Sequence, residues 1–211
     1  MRAKTNRKKK TKPLTLGTWN VRTLLDRKDK RKNTDFQPER RTALVSKELS
    51  RYNIDIAALS ETLLAGTGEL EEVASGYTFY WKGKLETQKR ESGVGFAVKS
   101  HLVHQLDGPP KGVTDRIMTL RLQLDKGRYA TMISVYAPTM TNDIEVINSF
   151  YEEFDRLLTN TPKEDKLFLL EDLNARVGRD YNIWTDVIGV TESESKTVME
   201  HVSWKLVRHI N

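Results

Sequence analysis

Apolar residues in this chain come in runs of strand length, and several of those runs stop on carboxylates or amides. The stretch "LFLLEDLNARVG" (167–178) drives four apolar residues straight into Glu171, Asp172 and Asn174. "PLTLGTWNV" (13–21) reaches Asn20, "IDIAALSET" (54–62) ends on Ser60 and Glu61, and "YATMISVYAP" (129–138) ends with Tyr136 before Ala137 and Pro138. Runs this short and this apolar, bounded by turn residues, read as buried strands. In layered α/β proteins the residues just past the strand ends line one rim, where ligands bind.

The segments between these strands set the layering. "PERRTALVSKELSRY" (38–52) reads as a helix, with Pro38 in its first turn and Ala43, Leu44 and Leu49 on one side. A β–α–β order at the start of the chain predicts an α/β architecture. "YTFYWKG" (77–83), "GVGFAVKS" (93–100) and "RIMTLRLQL" (116–124) read as further strands, the last joined to the strand at 129–138 through the turn "DKGR". "TNDIEVINSFYEEFDRLLTN" (141–160) is the clearest helix. Ile144, Ile147, Phe150, Tyr151, Phe154, Leu157 and Leu158 recur at helical spacing, and Asn142 with Glu145 resembles a capping box. "KLFLLEDL" (166–173) then reads as a buried strand. Two packed sheets with helices outside them follow from this order.

Charge adds a separate element. The 211 residues carry a net +6, and "MRAKTNRKKKTK" (1–12) holds seven Lys or Arg and no acid. Such a block buries nothing, so residues 1–13 are expected to form a disordered basic arm, either a solvated tail or a nuclear-import or phosphate-binding segment. The remainder is close to neutral. With no cysteine, disulfide frameworks and thiolate metal sites are excluded. No apolar run approaches the roughly 18–20 residues needed to span a bilayer, and no signal-peptide core opens the chain. A nuclear or cytoplasmic, intracellular protein without a membrane partner is expected.

Asn20, Glu61, Asp172 and Asn174 together would offer carboxylate and amide oxygens suited to Mg²⁺, which takes few protein carboxylates and completes its shell with water and phosphate. An acid there would orient or deprotonate a water, while amide N–H and phenol O–H groups would hold phosphate oxygens. Each residue also has an ordinary reading: Asn20 as a turn cap, Glu61 as a solvated acid, Tyr136 as a core phenol, Asp172 with Asn174 as an Asx turn. Spacing alone leaves both readings open.

The order of "LGTWNVRTL", "LSET", "GVGFAV", "ISVYAPT" and "LFLLEDLNARVG" resembles the endonuclease/exonuclease/phosphatase superfamily, the deoxyribonuclease I-like fold. The resemblance covers roughly residues 14–189. In wording it is nearest to craniofacial development protein 2-like proteins and the endonuclease domains of LINE-type retrotransposons. It implies an α/β, four-layer sandwich of two packed mixed β-sheets flanked by helices, and Mg²⁺-dependent phosphodiester hydrolysis, with Mn²⁺ as a substitute. By motif position it implies Glu61 as metal ligand, Asn20 as support for metal and nucleophile, and Tyr136 against the scissile phosphate. Asp172 would orient the attacking water, Asn174 would hold phosphate and water, and Arg116 would contact the nucleic-acid backbone. Nucleic acid, DNA before RNA, is the implied partner. The motifs set no oligomeric state.

Three departures from the family pattern stand out. Arg22 replaces the acid that many members carry two residues after the "WN" asparagine. Glu171 takes the place of the glycine in Gly-Asp-Phe-Asn. The family's Ser-Asp-His segment, whose His–Asp pair acts on the phosphate, has no counterpart after residue 189. His101 and His104 read as surface residues, and His209 in "VRHIN" has no neighbouring acid. The expectation is a fold incomplete at its C-terminus, a divergent tail over 190–211, and turnover impaired or lost. The alternative is a non-catalytic nucleic-acid-binding or protein-interaction factor on the same scaffold.

Overall fold

The computed structural model describes residues 13–26, 39–172 and 209–210. Among the described residues, ten strands form two sheets. The first sheet contains β1 (Leu14–Asn20), β2 (Ile56–Ser60), β3 (Thr67–Glu72), β4 (Tyr77–Lys82), β5 (Val94–Lys99) and β10 (His209–Ile210), in the order β10-β1-β2-β5-β4-β3. The second contains β6 (Lys111–Thr114), β7 (Ile117–Gln123), β8 (Tyr129–Tyr136) and β9 (Lys166–Asp172), in that order. Helices α1 (Arg41–Arg51) and α2 (Ile144–Asn160) follow β1 and β8.

Side-chain alternation divides the buried apolar strand residues among three cores. Ile56 and Ala58 of β2, Val94, Phe96 and Val98 of β5, Met118, Leu120 and Leu122 of β7 and Met132 of β8 fill the space between the sheets. The residues between them face outward. Ala57, Leu59 and Ala97 pack under Val45 and Leu49 of α1, and Ile117, Ile133 and Val135 pack with Phe150 of α2. The result is the four-layer α/β sandwich, helix over sheet over sheet over helix. β2 is buried along its whole length, which is why its sequence is almost uniformly apolar.

Two parallel strand pairs organise the layers. β1 pairs parallel with β2, and β8 pairs parallel with β9. A parallel pair needs a long crossover, and α1 and α2 supply the two. The β1–β2 pair places Asn20 opposite Ser60, and the β8–β9 pair places Tyr136 opposite Asp172.

Several sequence expectations change. β3 and β6 have no counterpart in the sequence reading. "TGELEE" is rich in residues depleted from strands, yet it lies at the sheet edge, where charged side chains are tolerated. The capping box does not form. Asp143 occupies the N-cap without a side-chain hydrogen bond, and Asn142 Oδ1 instead accepts from the backbone N–H of Thr139 at 2.8 Å. The apolar face of α2 is narrower than its periodicity implied: Phe150 is buried, whereas Ile144 and Tyr151 are exposed. β9 is buried on one face only. Leu170 and Phe168 join the intersheet core, while Leu167 and Leu169 remain exposed. The basic arm, Asn174 and residues 190–208 lie outside the described residues.

β9 is anchored at its start by a charged cluster. Asp165 accepts from Arg121 Nε at 2.7 Å, Arg121 Nη2 at 2.9 Å and Thr131 Oγ1 at 2.7 Å. The Arg121 guanidinium is the main cause that holds the Asp165 carboxyl below its ordinary pKa; burial opposes it and the Thr131 hydroxyl assists. A folded-state value lowered in this way contributes stability above the unfolded pKa, and that stability is lost as pH falls through the folded value. Asp165→Asn is expected to lower stability at pH 7 by about 1–3 kcal/mol and to flatten the acid limb of the stability profile. Urea unfolding of both proteins at pH 7 and at pH 3 checks this; an equal loss for both on acidification would contradict it.

Candidate active site

The C-terminal ends of β1, β2, β8 and β9 meet at one rim of the sandwich. Asn20 comes from the end of β1, Ser60 and Glu61 from the end of β2 and the residue after it, Tyr136 from the end of β8, and Asp172 from the end of β9. Asn20 Nδ2 donates to Glu61 Oε1 and to Asp172 Oδ2, both at 2.8 Å. Tyr136 OH donates to Glu61 Oε1 at 3.2 Å. One amide therefore bridges two carboxylates carried by different sheets. The other end of that amide is also fixed, because Asn20 Oδ1 accepts from the backbone N–H of Arg22 at 3.0 Å. The Arg22 side chain is exposed, so position 22 acts here through its backbone.

Ser60 belongs to this network, and the sequence reading did not assign it a role. Its Oγ donates to Asp172 Oδ2 at 3.1 Å, so that oxygen accepts from both Ser60 and Asn20. The two residues are separated by 112 positions, and no local pattern signals the contact. Position was the available clue, since Ser60 is the last residue of a strand whose neighbours are all buried.

The turn after β2 holds Glu61 in an uncommon conformation. Its φ is 54°, and that of Leu63 is 57°, in the left-handed region that L-residues enter at a cost. Gly93 makes this turn possible. Thr62 N–H donates to Gly93 O at 3.1 Å, and a Cβ at Gly93 would lie 2.4 Å from Thr62 Oγ1. Thr62 Oγ1 is buried and without a hydrogen-bond partner among the described residues. Unsatisfied polar atoms and left-handed residues of this kind cluster at functional sites.

The remaining expected residues separate clearly. Arg116, in the turn between β6 and β7, is 9% exposed and sits behind Tyr136. Asn174 lies outside the described residues. Of Glu171 only the backbone is described, opposite Val135 in β9. His101 and His104 are exposed in a 3₁₀ turn after β5. The backbone of His209 pairs with Thr15. That is five residues along β1 from Asn20, roughly 16 Å at strand rise, so His209 is at the wrong end of the strand to serve this rim.

The left-handed φ of Glu61 generates a stability prediction. Glu61→Gly relieves the backbone cost that Glu61→Ala retains, so it is expected to be more stable than Glu61→Ala by about 1–2 kcal/mol, although both remove the carboxylate. Chemical denaturation of the pair measures the difference. Equal stabilities would mean that the turn relaxes once the carboxylate is gone.

The pattern of the endonuclease/exonuclease/phosphatase family matches residues 17–197. Craniofacial development protein 2 from Tragulus javanicus and from Bos taurus are each 34% identical to the chain over 163 residues, covering 77% of this chain and 25% and 24% of theirs. The chain thus spans about a quarter of the length of the curated relatives it matches. The human Nocturnin catalytic domain with bound sulfate anion superposes with a TM-score of 0.52 at 16% identity, covering 83% of this chain and 70% of that one. A humanized D. rerio TDP2 with 14 mutations gives 0.50 at 14% identity, over 81% and 70%. These structural likenesses concern the fold. The two sheets and their outer helices are the scaffold such a family requires, and with its pattern running through most of the sequence, this chain belongs to the endonuclease/exonuclease/phosphatase family.

Proposed function

We propose that the chain is a divalent-metal-dependent phosphodiesterase of the endonuclease type acting on nucleic acid, with DNA before RNA, and of retroelement origin. The observation that supports this most is the convergence of Asn20, Glu61, Tyr136 and Asp172 from two sheets onto one hydrogen-bonded rim. The donor set fits Mg²⁺, with Mn²⁺ as a substitute. Glu61 and Asp172 supply two carboxylates and Asn20 an amide, whereas a closed protein cage would need more. No group of three or more His, Cys, Asp and Glu placed to hold a metal occurs among the described residues. A hydrated ion held by few carboxylates and completed by substrate phosphate is the Mg²⁺ pattern.

Glu61 would hold the ion through its carboxylate, with Asn20 supporting the ion and the nucleophile. Such an ion polarises a phosphoryl oxygen and offsets the charge that develops on it. Asp172, oriented by Asn20 and Ser60, would align the attacking water and take its proton. Tyr136 and Asn174 would donate to the phosphate oxygens. The basic segment at 1–12 would add sequence-independent attraction for the backbone and suits a nuclear protein. None of the helices among the described residues is long and apolar enough to cross a membrane.

The sequence contains no Asp-His dipeptide. Loss of one preorganised donor of this kind lowers rates by roughly 10²–10³. These 211 residues by themselves are therefore expected to turn over slowly. A second reading is a non-catalytic nucleic-acid-binding or protein-interaction factor on the same scaffold.

A nicking assay on supercoiled DNA separates the two. Weak Mg²⁺-dependent nicking is expected, lost in Asp172→Asn, and raised at least ~10²-fold when a family Ser-Asp-His segment is joined after Gly189. Nicking that is indifferent to Asp172→Asn would overturn the proposal. DNA binding that weakens steeply with salt, with no metal requirement and no nicking in the extended protein, would favour the binding factor.

A further inference from the structure

We infer that Arg116 is a positioning residue that holds Tyr136 against Glu61 from behind, and that it makes no contact with the nucleic-acid backbone. This rests on the functional reading above. Arg116 grips Tyr136 at three points. Its carbonyl oxygen accepts from Tyr136 N–H at 2.9 Å, its Nη1 donates to Tyr136 O at 3.4 Å, and its guanidinium carbon lies 5.0 Å from the centre of the Tyr136 ring. The ring face is the negative part of its quadrupole, so the cation is attracted there. At the far end of the same ring, the hydroxyl donates to Glu61 Oε1 at 3.2 Å. Tyr136 is thus held between a cation and an anion, and among the described residues it links Arg116 to the proposed metal-ligand carboxylate.

The charge around Arg116 argues against a phosphate contact. Arg116 is buried, with 9% of the residue exposed, and it forms no ion pair among the described residues. Asp115, its neighbour in the chain, is taken by the Ser92 hydroxyl. Arg116 and Lys84 line a cavity of about 470 Å³ together with four carboxylates, Glu91, Asp115, Asp143 and Glu145. Lys84 is already bonded to Glu91 at 2.7 Å. A phosphodiester entering there would meet an excess of carboxylates, and like charge at short range in a partly enclosed space is repulsive. The ring-facing role meets no such opposition.

The test uses the full chain, with Mn²⁺ binding followed by electron paramagnetic resonance and binding of a labelled single-stranded oligonucleotide followed across a salt series. Arg116→Met is expected to weaken Mn²⁺ binding by roughly 3–10-fold, within the range of coupling between touching residues. Arg116→Lys should recover part of that loss, because a cation remains over the ring. In a Tyr136→Phe background Arg116→Met should have no further effect, since the hydroxyl that carries the influence to Glu61 is gone. The slope of log affinity against log salt should be unchanged. A lost phosphate contact would make it shallower by about 0.7 for a single strand, and that result overturns the inference. Additive losses of Mn²⁺ affinity in the double variant overturn it as well, as does a lowered melting temperature with unaltered Mn²⁺ binding. If Arg116→Met does not fold, Arg116→Lys with and without Tyr136→Phe gives the same readings. Where the wild type binds Mn²⁺ without oligonucleotide, the Mn²⁺ cycle decides. A wild type that binds neither sinks the functional reading and this inference together, whereas binding of both with an additive cycle sinks the inference alone.

Discussion

The rim depends on the register of two parallel strand pairs. Asn20 is opposite Ser60 in one pair and Tyr136 is opposite Asp172 in the other, so both pairs end level at the same edge of the sandwich. Side-chain direction alternates along a strand, and a slip of one residue would exchange the faces. A slip of β9 would carry Asp172 out of reach of Asn20 and Ser60. The intersheet core resists such a slip through Phe168 and Leu170, and the Arg121–Asp165–Thr131 cluster resists it at the opposite end of the strand. The geometry of the candidate site at one edge is therefore maintained partly by a salt bridge at the other.

Bringing two carboxylates to one place is unfavourable unless something lies between them. In this protein the first mediator is the Asn20 amide, whose two N–H groups serve one carboxylate on each sheet. Ser60 and Tyr136 add one donor to each. These bonds cross from one sheet to the other, so the site closes the top of the sandwich as the apolar core closes its middle. The strain in the turn at Glu61 is held by the same surroundings, with β5 approaching closely at Gly93. A metal ion at this rim would enter a framework whose orientation is already set by hydrogen bonds.

Arg116 shows how burial changes the meaning of a charged residue. From its motif it reads as a residue on the path of a nucleic-acid backbone. In the fold it is packed behind Tyr136, among carboxylates, with its charge directed at an aromatic face. Ser60 shows the converse, an inconspicuous hydroxyl that becomes part of the site because β2 ends level with β9.

The sequence by itself determined the layers and most of the rim. Strand-length apolar runs such as 54–60 can be satisfied only between two covering layers, and polar residues at their ends are forced to the edge, so Asn20, Glu61, Tyr136 and Asp172 were legible as candidates. Periodicity likewise revealed α1 and α2. It did not reveal β3 or β6, whose charged or short sequences become strands only because a neighbouring edge offers hydrogen bonds. Nor did it show that Asn142 serves the Thr139 turn instead of capping α2, since the two uses of an amide differ by local geometry alone. Which donors reach Asp172, which end of β1 receives His209, and what Arg116 faces were decided by tertiary structure. The physical reason is the same in each case: these contacts join residues far apart in the chain, and strand register, which no local pattern encodes, brings them together.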